Sequence, residues 1–515
     1  MSSTNQPINS SPLCRVGSNI EYCFAKGCWA RISLLAGWQA YSSPKSCEGT
    51  TIALEPILLN RCRFVLYSWR GDVGENVSVY IEDGRIAWIG ADSPPLGAKS
   101  GFVVDCDKHV LMPCLYNAHT HAAMVLLRGY HDDSELMDWL GHMWAVEWNL
   151  DPHIVYLASK LAVLEMVAGG TCGFMDMYFY PEETVKAAKE VGVRVALGPV
   201  IMGDVDPYKA VEISLEFAKR FWRDDTVKPV FNVHSIYATP HDAIKLAAEK
   251  SLELGVPLHI HVSETRREVY EAKKRYGVFP VELLDRKLKA LHSRTVLVHA
   301  GWIASWELEL VKRARASIVH CPTSNMKLAT AGHFPAYEAI EMGINVGLGT
   351  DGAASNNSLD MFLEMKMMVM LQRHSYWDTR IKAVHALKAA TIGSAHAMGL
   401  EDVGEVRVGY KADLVLLDIV SPRIQPLRQD NLVSTIVYAA TGDNVAYTIV
   451  DGKPVYTPEN REEMFEEAVR IAGELNSFIE KLGGEKIQVP PCSPQQACKM
   501  PTMSVKGGSV IAKPG

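Results

Sequence analysis

The sequence predicts an α/β protein, a (β/α)8 barrel carrying a small β-sandwich assembled from both ends of the chain. Three observations predict it. Between about residues 110 and 349, short apolar strand-like runs alternate with helical patterns, the signature of a parallel sheet. Blocks of alternating β character flank this region, at 57–90 and at 412–456. No glycine-rich phosphate loop follows the first strand, which disfavours a doubly wound open sheet.

Residues 1–50 are rich in Ser, Asn and Gly and have no sustained period. They are expected to be a poorly ordered or atypical extension, and an upstream start-site error would read the same way. Residues 51–112 supply the first part of the sandwich. There Ile57 to Leu66 and Val77 to Gly90 alternate, with Asp83-Gly84 as a hairpin turn. The barrel is assigned to 113–400, its first strand beginning slightly earlier. Candidate strands are Val110 to Cys114, Cys172 to Met177, Val193 to Leu197, Val230 to His234, Leu258 to Val262, Val296 to His299, Ser317 to His320 and Val346 to Gly349. Helical patterns between them include Ile154 to Val167, Pro181 to Glu190, Tyr208 to Phe221, His241 to Leu254 and Trp306 to Arg315. Residues 401–457 complete the sandwich through Ala412 to Asp418 and Val445 to Tyr456, again around an Asp-Gly turn. A C-terminal amphipathic helix is expected within 458–484, and 485–515 reads as a flexible tail rich in Pro, Gly, Ser and Lys.

Bulk properties narrow the function. Of 515 residues, 48% are hydrophobic and 22% charged, ordinary globular values. A formal net charge of -7 leaves no basic footprint for nucleic acid or an anionic membrane, so a small molecule is the expected partner. No run approaches the roughly 20 apolar residues that span a bilayer, and no charged n-region leads into an apolar stretch, so a cytoplasmic location is expected. The 11 cysteines contain no C-x-x-C pair. Cys62, Cys106, Cys114, Cys172 and Cys321 lie in apolar surroundings and are expected to pack as free thiols.

The chemistry concentrates at predicted strand ends, where a barrel of this type places its active site. Asn117-Ala118-His119-Thr120-His121 ends the first strand region. Strand side chains alternate faces, so His119 and His121 point the same way, as two ligands of one metal must. His261 and Glu264 follow the fifth strand, His299 the sixth, and Asp351 the eighth. His119, His121, His261 and Asp351 thus form a candidate set for one divalent metal, zinc being the expected ion, with His299 and Glu264 beside it. His259 also faces inward and reads as a core residue or one that supports a ligand. The methionines from Met361 to Met370 fall on a helical pattern and are expected to pack against the barrel.

Together these residues resemble the amidohydrolase superfamily, and within it the 5-methylthioadenosine/S-adenosylhomocysteine deaminase branch, close also to the chlorohydrolase-like enzymes. The resemblance runs from about Ile57 to Lys481. It rests on Pro113 through His121, His234-Ser235-Ile236-Tyr237-Ala238-Thr239-Pro240, His261-Val262-Ser263-Glu264, Cys321 through Leu328, and Gly349 through Asn357. It implies that His119, His121, His261 and Asp351 bind one catalytic metal, usually zinc, and that Glu264 and His299 handle protons. It further implies that Glu147 binds ribose hydroxyls and that His234 contacts substrate. One departure bears on substrate. The branch carries an arginine after the third strand, but here the chain reads Ala196-Leu197-Gly198-Pro199-Val200, with no arginine until Arg220. That arginine engages the outer part of the substrate, so S-adenosylhomocysteine is less expected than 5′-methylthioadenosine or adenosine. Cys114 also stands where a glycine is usual.

The implied reaction is hydrolytic deamination of an adenine nucleoside, a hydrolase reaction at a carbon–nitrogen bond other than a peptide bond. A catalytic zinc brings the pKa of bound water to about 7. Asp351 would take the water's proton, His299 polarise the attacking oxygen, and Glu264 protonate the adjacent ring nitrogen and then help deliver a proton to the departing ammonia. Guanine-like, pterin-like and triazine-like substrates share this chemistry, as does a chlorohydrolase. Glu264 favours deamination, since ammonia needs a proton to leave and chloride does not. A non-catalytic scaffold is disfavoured because all the implied metal ligands and Glu264 are present. Enzymes of this resemblance are expected to be homo-oligomers.

Overall fold

The computed structural model describes residues 55–484 apart from 92–93, 95–97, 99–100, 204–205 and 331–332, together with the backbone of short terminal strands. Met1–Ala53 is a separate compact unit, whose described backbone is an antiparallel sheet of Cys14–Gly17, Ile20–Ala25 and Cys28–Ser33. Apart from those strands and Met503–Lys506 with Ser509–Ala512, the expectations for 1–50 and 485–515 lie outside the described residues. Among the described residues no helix is long and apolar enough to cross a membrane.

The central sheet is parallel. Its strands are β1 Leu115–Thr120, β2 Thr171–Asp176, β3 Arg194–Leu197, β4 Phe231–Ser235, β5 Leu258–Val262, β6 Thr295–His299, β7 Ser317–His320 and β8 Asn345–Leu348. Each pairs with the next in sequence order, except that β3 and β4 are joined through short extensions. Val227–Pro229 pairs with β3 and Val200–Ile201 with β4 in one common register, Leu197 facing Pro229 and Val200 facing Asn232. Gly198 sits at the interruption, and a Cβ there would lie 2.1 Å from the Val230 carbonyl oxygen. The two outer edges also meet. Asp351 N–H donates to the His119 carbonyl at 3.0 Å, and Thr350 N–H to Asn117 Oδ1 at 3.0 Å. Gly349 makes this approach possible, since a Cβ would come within 2.8 Å of His119.

The strands are almost wholly buried and rich in apolar residues, as a sheet covered on both faces requires, with the polar exceptions concentrated among the residues that build the site and its supports. Helices intervene at Pro152–Ala168, Pro181–Val191, Pro207–Phe221, His241–Leu254 and Glu307–Ala314, within a residue or two of their predicted bounds. Asp151 and Asp206 cap two of them, and Pro152 and Pro207 occupy first helical positions where a missing N–H costs nothing.

One expected strand is displaced. His109–Pro113 is not the first strand of the parallel sheet; it pairs antiparallel with Leu414–Asp418 in a second, mixed sheet. That sheet runs in the order Lys453–Tyr456, Val445–Val450, Leu414–Asp418, His109–Pro113, Ile57–Leu66, Val73–Glu82 and Arg85–Gly90, with Phe102–Asp105 beside Ile57–Leu66. The chain crosses between sheets at Cys114, so the apolar run read as one strand is the end of one and the start of another. This second sheet, built from both flanks of the parallel one, has its own core of Ile57, Leu59, Val65, Val79, Ile81, Leu414, Leu416 and Ile449.

Two features tie the sheets together. Arg194, on β3, donates through Nε and Nη2 to Asp413 at 2.8 and 3.1 Å, while Tyr116 Oη donates to the same carboxylate at 2.7 Å. Cys114 and Cys172 form a disulfide, their Cα atoms 5.8 Å apart, which corrects the expectation of two free thiols. Cys172 lies at an irregularity of the pairing, between Thr171, which faces Leu115, and Gly173, which faces Tyr116. Cys62, Cys106 and Cys321 are free and buried.

Candidate active site

At the C-terminal ends of the parallel strands, His119, His121 and His261 converge on Asp351. His119 Nε2 and His121 Nε2 each lie 3.3 Å from Asp351 Oδ1, and His261 Nε2 lies 3.2 Å from His119 Nε2. Metal bonds of about 2.0–2.1 Å in a tetrahedral cage imply ligand-to-ligand edges of about 3.3–3.4 Å. The three distances match the edges of a cage around one zinc-sized cation. His299 offers a ligand atom within 4.8 Å of those of His119 and Asp351, so it is a further candidate donor.

The rings are held so that lone pairs face one another. His121 Nδ1 donates to the Met177 carbonyl at 2.6 Å and His261 Nδ1 to the His234 carbonyl at 2.7 Å. Each Nε2 is left as an acceptor. For His119 the assignment follows from a relay. Asn232 uses its amide N–H groups on the carbonyls of Asp176 and Gly198, so its Oδ1 must accept from His259 Nδ1 at 2.9 Å. Neutral His259 then accepts at Nε2 from His119 Nδ1, 3.0 Å away. Burial lowers His119 to about 4 and holds His259 and His261 well below the ordinary imidazole value, so these three rings are neutral. Converging neutral nitrogens without an internal donor are what a bound cation satisfies.

Asp351 is fixed by its other oxygen. Ser324 Oγ and Ser355 Oγ donate to Oδ2 at 2.6 and 3.0 Å, leaving Oδ1 toward the histidines. The backbone is bent at this rim: Ser263, His299 and Asp351 have φ of 50°, 68° and 62°, a left-handed conformation that is uncommon outside glycine.

Glu264 Oε1 stands 3.9 Å from His299 Nε2. Burial, and then the Asp351 charge, push the Glu264 carboxyl up to about 8. His299 Nδ1 donates to Asn325 Oδ1 at 2.9 Å, which turns Nε2 toward Glu264. The Glu264 backbone is itself pinned. Glu268 accepts the Ser263 and Glu264 N–H groups, each at 2.9 Å, one on each carboxylate oxygen.

These groups open into one pocket. Its walls include Trp139, Met143 and Glu147 from the helix Leu136–Glu147, spaced four residues apart on one face, with Met177, Tyr178, Val200, Met202 and His234. The structure thus brings together every residue expected of the site: the four candidate ligands, Glu264, His299, Glu147 and His234. Among the described residues lining the pocket there is no lysine or arginine. Arg220 is elsewhere, 3.9 Å from Glu182. Lys327, next to pocket-lining Leu328, is committed to Asp132, Asn357 and the Ala354 carbonyl.

Several supporting residues escaped the sequence. Ser324, Asn325 and Ser355 lie within the recognised motifs, but nothing in the pattern assigned them partners. The Thr265-x-x-Glu268 spacing is a capping-box signature that could have been read, although not the reach of Glu268 to Glu264. Tyr178 carried no signal.

The amidohydrolase family model matches residues 110–455. A 5-methylthioadenosine/S-adenosylhomocysteine deaminase of Pyrococcus furiosus is 38% identical over 385 residues, 73% of this chain and 90% of the relative. A 5′-deoxyadenosine deaminase of Methanosarcina acetivorans is 38% identical over 418 residues, 79% of this chain and 94% of the relative. The crystal structure of an adenosine deaminase from Xanthomonas campestris with bound zinc superposes with a TM-score of 0.75 at 30% identity, covering 82% of this chain and 98% of that one. The chain belongs to the amidohydrolase family and is a hydrolase acting on carbon–nitrogen bonds.

Proposed function

We propose that the protein is a metal-dependent hydrolytic deaminase of adenine nucleosides, its parallel sheet closed into a (β/α)8 barrel. The observation that carries the reading is the buried Glu264–His299 pair, 3.9 Å apart, beside the His119–His121–His261–Asp351 set and at the floor of a pocket with Glu147 on its wall. The donor set suits one divalent ion, zinc before others, because imidazole and carboxylate oxygen are its preferred partners after thiolate. A bound zinc supplies a water whose pKa is lowered to about 7.

The chain's own residues then divide the proton work. Asp351 accepts the proton that the attacking water loses, and His299 polarises the attacking oxygen. Glu264, held protonated by its burial, protonates the ring nitrogen next to the amine-bearing carbon. As the carbon–oxygen bond becomes a carbonyl, the carbon–nitrogen bond breaks and the amine leaves as ammonia with the proton from Asp351. Glu264 recovers its proton from the hydroxyl. Glu147 accepts hydrogen bonds from the ribose hydroxyls, and His234 contacts the substrate beside His261.

Substrate preference follows from the apolar lining of the pocket. Met124, Met143, Met177, Met202, Trp139 and Val200 offer dispersion contact to a thioether or methyl group and no cation to a carboxylate. We infer a preference for 5′-methylthioadenosine, 5′-deoxyadenosine and adenosine over S-adenosylhomocysteine. The test is ammonia release from zinc-loaded protein with these four and guanine, beside an E264Q control. Turnover of the first three, with S-adenosylhomocysteine poorer, supports the reading. No ammonia from any adenosine despite bound metal would sink it and point to triazine, pterin or guanine substrates.

A further inference from the structure

Glu147 does not stand alone in the pocket wall. Tyr178 Oη donates to Glu147 Oε1 at 2.6 Å, and both side chains are buried, at 5% and 8% exposure. A phenol at neutral pH is a donor, so this bond occupies one oxygen of a carboxylate that lines the pocket and leaves the other as an acceptor. The neighbour of Tyr178 has a second attachment. Met177, one residue earlier, accepts His121 Nδ1–H at its carbonyl, at 2.6 Å. A single turn beyond β2 therefore holds a candidate metal ligand through its backbone and the pocket carboxylate through its side chain.

We propose that Tyr178 is a positioning residue for sugar recognition: it orients Glu147 toward the ribose hydroxyls and, through the Met177–Tyr178 turn, sets the spacing between the sugar-binding carboxylate and the metal-binding end of the pocket. The inference rests on the nucleoside reading of the site. It makes a substrate-dependent claim that a merely structural tyrosine does not. Removing the phenol oxygen while keeping the ring leaves Glu147 free to rotate and unpaired on one oxygen, which weakens binding of a substrate that presents the ribose diol. A substrate lacking that diol makes no such use of Glu147.

The experiment compares adenosine with 2′,3′-dideoxyadenosine in the zinc-loaded wild type, Y178F, E147Q and the double variant, with metal content and Tm recorded for each. For Y178F the ratio of kcat/KM for adenosine to that for the dideoxynucleoside falls roughly tenfold, carried mainly by KM, the scale of one hydrogen bond to a charged group. In E147Q the ratio falls at least as far, and adding Y178F lowers it no further, because both changes remove the same interaction. Equal loss on both substrates in Y178F, no loss, or additive losses in the double variant overturn the positioning role. Should Y178F fail to fold, Tyr178→His keeps a ring donor, and a ratio unchanged from E147Q in the pair E147Q/Y178H serves the same comparison, a further fall overturning the role. A wild type that deaminates adenosine without preferring the diol overturns it through Glu147. A wild type inactive on every adenine nucleoside overturns the deaminase reading and this inference with it.

Discussion

His259 Nε2 lies 3.0 Å behind His119 Nδ1, and Asn232 Oδ1 lies 2.9 Å behind His259. The relay fixes which nitrogen of His119 faces the candidate metal centre. Partners of this kind contribute about 10–100-fold to metal affinity. His259→Leu, which keeps the volume and removes the acceptor, is expected to weaken zinc binding by that factor. Chelator competition measures it, and an affinity equal to wild type would show that the relay is only packing.

Metal removal makes a second prediction. Wild-type protein is expected to hold about one equivalent of zinc, and His261→Ala to hold far less, because one of three imidazoles is lost. Chelation should abolish ammonia release and lower Tm, since a ligand at 100 times its Kd adds about 2.7 kcal/mol to stability. Readdition of zinc should restore both. Activity that survives complete chelation would remove the metal from the mechanism.

A third prediction separates the acid from its support. Glu264→Gln keeps size and hydrogen bonding but cannot deliver a proton, so kcat is expected to fall about 10²–10⁴-fold with metal retained. Glu268→Gln removes one of two acceptors that hold the Ser263 and Glu264 N–H groups, at 2.9 Å each. A smaller loss in kcat, about tenfold, is expected there. If E268Q costs as much as E264Q, Glu268 takes part in the proton transfer itself.

Much of this site was legible because its chemistry sits on strands, where alternation places His119 with His121 and His259 with His261 without any tertiary information. The ends of β5, β6 and β8 could be read the same way. Alternation says nothing about where a chain leaves one sheet and enters another, so His109–Pro113 was assigned to the wrong sheet. Nor does it reveal pairs formed across the fold. Ser324 with Asp351, Tyr178 with Glu147 and Cys114 with Cys172 are separated by 27 to 58 residues and depend on how neighbouring strands register.

Stability at low pH should depend on the ion pair that joins the two sheets. Asp413 is fully buried against Arg194; burial would raise its pKa, but the Arg194 charge and hydrogen bonds, with Tyr116, lower it below 3.8. A depressed carboxylate contributes stability that is complete above its unfolded pKa and is lost as pH falls through the folded one. Asp413→Asn leaves Arg194 buried without its counter-charge, at a cost of about 3–5 kcal/mol near neutral pH. The Tm difference between wild type and D413N is expected to be constant above about pH 5 and to shrink below pH 4. A difference independent of pH would mean that the loss is hydrogen bonding and packing rather than charge.

The last prediction concerns selectivity at the outer wall. Val200 and Met202 line the pocket where the strand pairing of β3 resumes after Gly198 and Pro199, and no cationic side chain of the described lining residues accompanies them. The amino-acid end of S-adenosylhomocysteine carries a carboxylate that must shed water to enter, which is unfavourable against methionine and valine. Val200 is half-buried, so a longer side chain can extend into the opening without displacing the core. Val200→Arg is therefore expected to raise kcat/KM for S-adenosylhomocysteine relative to 5′-methylthioadenosine by about tenfold or more, the value of one hydrogen bond between charged groups. Parallel kinetics on the two substrates measure the ratio. An unchanged ratio in a folded, metal-loaded variant would place the 5′ substituent against another wall and make charge at this position irrelevant to substrate choice.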